Sequence, residues 1–224
     1  MKKVILVILL SSVCVAYTYS QLSRDPRHVI TDAGLIRVTK PPAGVDGDFY
    51  LMGEKVDATV FIIGNKVLDA KMNYNLYSNQ IILTVDNKDY GLKPSMIDSI
   101  VVKQNSRCFI NGNGIEGMDK NDFVEKIYSS GKSMLLRKTL ADVTKPNYNE
   151  QLNVGSRDYT ISKKSHYVLF DRKEQKSWKL QGKKKDLKNI KHGQQLNNFV
   201  KSKKIKLTDE TDLIALIQFY ETLN

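Results

Sequence analysis

The stretch VDATVFIIGNKVLDAKMNYNLYSNQIILTVDNKDYGLK, Val56 to Lys93, decides the fold. In its first eight residues Val56, Ala58, Val60 and Ile62 share one parity, as a half-buried strand requires. KVLDAKMNYNLY, QIILTVD and KDYGLK follow as further β-type runs. They are separated by Gly64-Asn65, Ser78-Asn79 and Asp86-Asn87, and the first and last of these are two-residue breaks of the kind that close hairpins. Parallel strands need long crossovers, usually helical, and the stretch has no room for them. It therefore predicts an antiparallel meander.

The same pattern extends both ways. Upstream, Gly34 to Lys40 alternates as a strand that Pro41-Pro42 ends, and FYLM stands before Gly53. Downstream come IDSIVVK and RCFI, then the loop NGNGIEG from Asn111 to Gly117. DFVEKIYSS and KSMLLRKTL flank Gly131 as another hairpin, although Phe123, Val124, Ile127 and Tyr128 also suit a short helix. DVTKPNYNEQLNVGSRD is a polar excursion around Pro146, and DYTIS, HYVLF and SWKLQ are the last strands. Beyond them the period changes. Leu187 and Ile190 sit three apart, His192-Gly193 is a break, and Leu196, Phe199 and Val200 form the next apolar stripe. Thr208 can cap a final helix with Asp209 and Glu210 in its first turn, whose core-facing side is Leu213, Leu216, Ile217 and Tyr220. The expected class is α+β: a mainly antiparallel β meander, as a curved sheet or barrel-like, followed by C-terminal helices.

The first twenty residues stand apart. Lys2 and Lys3 precede an apolar run, Val4 to Ala16, that is short for a membrane span of roughly 20 residues. The small residues Thr18 and Ser20 place a signal-peptide cut before Gln21, with a cut after Ala16 as the second choice. A lipidated Cys14 is disfavoured, because Val13 and Ser11 reverse the residue sizes that a lipobox wants. The expected organisation is a signal peptide over 1–20, a flexible leader over 21–32, a β-rich body over 33–182 and a helical segment over 183–224 packed on it. The expected location is exported: periplasmic, outer-envelope-associated or secreted. Such a mature chain would keep only Cys108, so it would have no internal disulfide and would depend on its core. No later apolar run approaches membrane length.

The run YNLYSNQIILTVDNKDYGLK and the ending VKSKKIKLTDETDLIALIQFYETLN resemble a type of exported protein found in Bacteroidota. In that group a β-rich body is followed by a lysine-rich segment and a final helix with aromatic residues near its end. The resemblance implies localisation and architecture. It brings no catalytic residue with it.

The formal net charge of +11 is unevenly placed. Between Lys163 and Lys206 there are fifteen basic residues against Asp171, Glu174 and Asp186, and the tail beyond holds only acids. Asymmetry of this kind bears on partners rather than on fold. The residues singled out as polyanion contacts are Lys179, Lys183, Lys184, Lys185, Lys188, Lys191, Lys201, Lys203 and Lys204. Trp178 and Phe199 lie among the lysines, as in single-strand nucleic-acid binders. Nucleic acid is nevertheless disfavoured, since export removes the protein from it and Arg172 is the segment's only arginine. The remaining polyanions are acidic lipid, lipopolysaccharide and acidic polysaccharide. Against this stands the plainer reading, in which the lysines face water while Leu187, Ile190, Leu196, Phe199 and Val200 pack inward.

Other motifs carry less. GNGIEG matches G-x-G-x-x-G, but Glu116, Asp119 and Asp122 would crowd a pyrophosphate and no βαβ alternation surrounds it, so it reads as a flexible turn. SSGKS fails as a P-loop because Lys126 stands where the first glycine belongs. Asn113, Glu116, Asp119, Asn121 and Asp122 supply oxygens for a calcium ion without the EF-hand spacing. His28, His166 and His192 show no metal-ligand spacing, Cys108 has no local activating sequence, and no G-x-S-x-G occurs. No cofactor, metal or catalytic residue is assigned. The reading is an envelope binding or structural component with a basic face. The second reading is an envelope hydrolase or other enzyme whose site the sequence does not reveal.

Overall fold

The computed structural model describes residues 35–39 and 45–223. The expected signal peptide over 1–20 and the expected leader over 21–32 lie wholly outside these residues. The chain forms strands β1 (Val45–Gly47), β2 (Val56–Ile62), β3 (Lys66–Asn75), β4 (Gln80–Val85), β5 (Lys88–Leu92), β6 (Ile97–Val102), β7 (Cys108–Asn111), β8 (Phe123–Ser129), β9 (Ser133–Thr144), β10 (Tyr159–Asp171) and β11 (Lys176–Leu180). Helices α1 (Gly193–Lys203) and α2 (Glu210–Thr222) follow. All strands join one sheet ordered β1-β10-β9-β8-β7-β6-β2-β3-β4-β5, with β11 also on β10. Every pair is antiparallel except β1 with β10. The α+β class and the antiparallel meander thus stand, and the sheet is open rather than a closed barrel.

The alternation in β2 places Ala58, Val60 and Ile62 in the core, where Leu68, Met72 and Tyr74 of β3 and Ile81 and Leu83 of β4 join them. The sheet curls so far that Tyr74 of β3 meets Phe123 of β8 edge-on, 5.9 Å between ring centroids, although three strands separate them. Asn79 closes the mouth of this curl by donating its Nδ2 to Asn121 O at 3.1 Å. The second half of the same face carries Leu135, Leu169 and Leu180 under the helices, which contribute Leu187, Leu196, Val200, Leu213, Leu216, Ile217 and Tyr220. Between the two apolar regions lies a charged row, Arg107–Glu125–Arg137–Glu210. The opposite face of β8, β9 and β10 buries Val124, Met134, Leu136, Val168 and Phe170 beneath Ile115 and Met118.

Several local expectations are corrected. Asp86-Asn87 is a two-residue turn with both residues at positive φ, but Ile62 pairs with Lys66, so Gly64-Asn65 belongs to a three-residue link. FYLM is not a strand: only Tyr50 makes an isolated bridge, to Asn75, and Leu51 and Met52 begin a turn. The 35–39 segment likewise pairs at one point, where Ile36 N–H donates to Gly91 O at 2.9 Å. A side chain at Gly91 would put its Cβ 2.9 Å from Ile36 O, so glycine is what allows the crossing. DFVEKIYSS is strand β8, and DYTIS and HYVLF are one continuous strand. Leu187 lies in a 3₁₀ segment, Lys184–Asn189, whose three-residue repeat suits the Leu187–Ile190 spacing. The cap of α2 is Asp209, not Thr208; its Oδ1 accepts from Asp212 N–H at 3.1 Å.

The YNLYSNQ run is explained by the back of the sheet. Asn73, Asn75 and Gln80 are buried there and hold crossing backbone. Gln80 donates to Arg37 O and accepts from Thr39 N–H, and Asn73 Oδ1 accepts from Met52 N–H. Asn75 donates to Thr39 O and accepts from the Tyr77 and Ser78 amides. Asn75→Ala leaves these groups without their partner in a fully buried place, so a loss of about 1–3 kcal/mol is expected. Urea unfolding checks it: the midpoint falls while the slope stays the same.

Candidate polyanion-contact surface

The lysine segment begins on the sheet and ends on the helical layer. In β11, Leu180 opposes Tyr167 and Lys179 opposes Val168. Directly opposed residues share a face. Leu180 therefore points under the helices, whereas Lys179 stands on the other face of the sheet, beside His166 and Lys138. Burial, and the Lys179 and Lys138 charges, push His166 down to about 4, so it is neutral near pH 7.

The other singled-out lysines lie beyond β11. Lys183, Lys184, Lys185 and Lys188 flank buried Leu187, and Lys201, Lys203 and Lys204 gather at the end of α1. All of these are exposed. The α1 lysines also oppose the negative end of that helix dipole, which gives them a structural role. The His192-Gly193 break is required: His192 is left-handed at φ 61°, and a Cβ on Gly193 would fall 2.3 Å from Leu187 O. It turns the chain between the 3₁₀ segment and α1, so the lysines form two short groups rather than one long arm.

Little acid compensates them. Asp186, the only acid between Lys183 and Lys206, accepts from Gln181 and Lys183 N–H at 2.6 and 3.0 Å. Its Oδ2 thus serves the backbone, and among the described residues the carboxylate forms no ion pair. Lys191 reaches Glu174 at 3.0 Å. Among the described residues, the remaining eight singled-out lysines make no ion pair. The geometry splits the expected set into seven lysines of the helical layer, Lys191 paired at its rim, and Lys179 on the far face.

The other motifs have structural explanations. The Asn111–Gly117 loop is packed at its centre: Ile115 is buried, and Ser177 N–H donates to Glu116 at 2.6 Å. Gly114 and Gly117 have the positive φ expected of turn glycines. The oxygens weighed for calcium are drawn into the loop itself. Asp119 accepts from Asn121 N–H, and Asp122 accepts from Asp119 N–H and pairs with Lys138. Among the described residues no group of three or more His, Cys, Asp or Glu could hold a metal ion. SSGKS docks α2: Ser130 and Ser133 hydroxyls both donate to Glu221, and Lys132 Nζ donates to Glu221 O at 2.8 Å.

Sequence reasoning missed a groove of about 530 Å³ on the outer face. Its lining includes Cys108, Ile110, Lys126, Met134, Phe170 and Arg172. These residues come from four strands and the turn after β10, so no local spacing announces them. No family model, curated protein or solved structure matches the chain.

Proposed function

We propose that the protein is an exported component of the cell envelope that rests its lysine-rich helical layer on an acidic surface, as a binding module rather than an enzyme. The observation that carries this reading is the set of seven exposed lysines without ion-pair partners among the described residues, around an Asp186 committed to the backbone. Lysine suits such a surface, because a strongly hydrated point charge attracts phosphate and carboxylate without demanding one geometry. The ligand chemistry is shared by anionic lipid headgroups and acidic polysaccharide. The export half of the proposal rests on the amino-terminal pattern. Among the described residues no helix is long and apolar enough to cross a membrane.

Vesicle flotation tests the proposal. The protein is expected to float with vesicles containing anionic phospholipid, to stay behind with zwitterionic vesicles, and to be released by salt. A juxtamembrane lysine contributes about 1 kcal/mol, so Lys184→Gln with Lys185→Gln is expected to weaken binding by about 2 kcal/mol, roughly 30-fold. Lys179→Gln should leave binding unchanged, because that side chain is on the opposite face. Retention on an immobilised acidic polysaccharide, with none on vesicles, would assign the surface to polysaccharide. Equal, salt-insensitive binding to neutral vesicles would reject the electrostatic reading.

A further inference from the structure

The outer-face groove has a floor and a charge pattern of its own. Ile110, Met134 and Phe170 line it, with Ile115 from the packed loop. Its volume is within the roughly 300–1,000 Å³ range of small-molecule sites. The polar walls are largely satisfied within the chain. Asn111 Nδ2 donates to Pro94 O and Lys120 O, its Oδ1 accepts from Asn113 N–H, and Gln175 donates to Arg172 O. Two cations are left. Lys126 is half-buried, and among the described residues it has no carboxylate partner. Arg172 donates to the neutral Ser129 hydroxyl at 3.0 Å and, among the described residues, forms no ion pair with a carboxylate.

These cations belong to the β8 and β10 side of the groove, whereas Asp98, its lining acid, belongs to the β6 side. A bound anion is therefore drawn one way and repelled from the other. We propose that this groove binds a small amphipathic carboxylate, with its head at Lys126 and Arg172 and its apolar part over Ile110, Met134 and Phe170. The apolar floor favours a tail by burial, and the cations supply charge-assisted hydrogen bonds to the head. This site is independent of the lysine-rich helical layer, which lies on the other side of the sheet.

Cys108 makes the groove testable. It lies in the groove wall beside Lys126, its cross-strand partner, and its thiol is free. The experiment follows alkylation of Cys108 by iodoacetamide in the full chain, read by peptide mass spectrometry so that Cys14 is scored separately. Submicellar decanoate is expected to slow alkylation at least fivefold. Decanol, which has the tail without the charge, and acetate, which has the charge without the tail, should each slow it less than twofold. In Lys126→Gln/Arg172→Gln the ligand-free alkylation rate should stay within twofold, showing an intact groove, and protection by decanoate should vanish. No protection by decanoate, equal protection by decanol, or undiminished protection in the double variant would each overturn the proposal.

Discussion

Glu125→Ala is expected to cost about 3–5 kcal/mol, because it strips the shared partner from two arginines at a largely buried place. Glu125 is 5 % exposed. Its Oε1 accepts from Arg107 Nε at 2.6 Å and its Oε2 from Arg137 Nε at 2.9 Å, with second contacts from both guanidiniums. Arg137 continues the row to Glu210, and Arg107 lies over the Phe109 ring. The row therefore joins β7, β8 and β9 to the first turn of α2. Burial pushes the Glu125 carboxyl upward, but the hydrogen bonds and charges of Arg107 and Arg137 outweigh it and hold the group below its ordinary value.

The sign of the pH effect follows. A carboxyl depressed in the folded state contributes stability that is present above its unfolded value, near 4.5, and is lost as pH falls through the folded value. His166 acts in the same direction over a higher window. Its folded value of about 4 lies below its ordinary 6.5, so the unfolded chain binds more protons between them and stability falls with falling pH. Glu125→Gln should flatten the limb below about pH 4.5, while His166→Gln should flatten the limb from about 6.5 to 4. Denaturant melts across pH 3 to 7 measure both. An unchanged acid limb in Glu125→Gln would remove this carboxylate from the account.

What could be read in the sequence was what repeats locally. The parity of Val56, Ala58, Val60 and Ile62 identified a strand and its core face, because strand periodicity depends only on neighbours in sequence. Leu213, Leu216, Ile217 and Tyr220 did the same for α2. The parallel pairing of Val45 with Tyr159 had no such signal, since it joins residues more than a hundred positions apart. The row of Arg107, Glu125, Arg137 and Glu210 was equally silent, as its members come from the residue before β7, two further strands and a helix. The distinction between α and 3₁₀ winding at Leu187 was also hidden, because a three-residue spacing fits both. The lysines were legible as a charge run. That Lys179 faces away from the others depends on strand parity in β11, which follows once Leu180 is seen to be its inward neighbour.

Tyr220→Ala is expected to cost about 3–5 kcal/mol, since it deletes a fully buried aromatic ring at the centre of the helix–sheet contact. Tyr220 is 1 % exposed and packs edge-on against Trp178, 6.4 Å between ring centroids. Its hydroxyl donates to Asp171 Oδ2 at 2.5 Å. Asp171 is itself buried, and its other oxygen accepts from Lys173 and Glu174 N–H, both at 2.8 Å, so one carboxylate shapes the β10–β11 turn and receives the last helix. Burial raises this carboxyl, yet the Tyr220 hydroxyl and the two amides outweigh it and keep it below its ordinary value. The two contributions separate by substitution. Tyr220→Phe keeps the ring and leaves a buried, ionised acceptor short of one donor, for an expected loss of about 1.5–3 kcal/mol. The remainder in Tyr220→Ala is the cavity. If the ring matters only as volume, Tyr220→Phe will unfold at the native denaturant midpoint. If the hydrogen bond matters, it will lie between native and Tyr220→Ala, and Asp171→Asn will reduce the difference between Tyr and Phe at position 220. That double-mutant comparison isolates the coupling between α2 and the β10–β11 turn. Its size sets how firmly α2 is held against the sheet, and with it the packing of α1 and the lysines at its end.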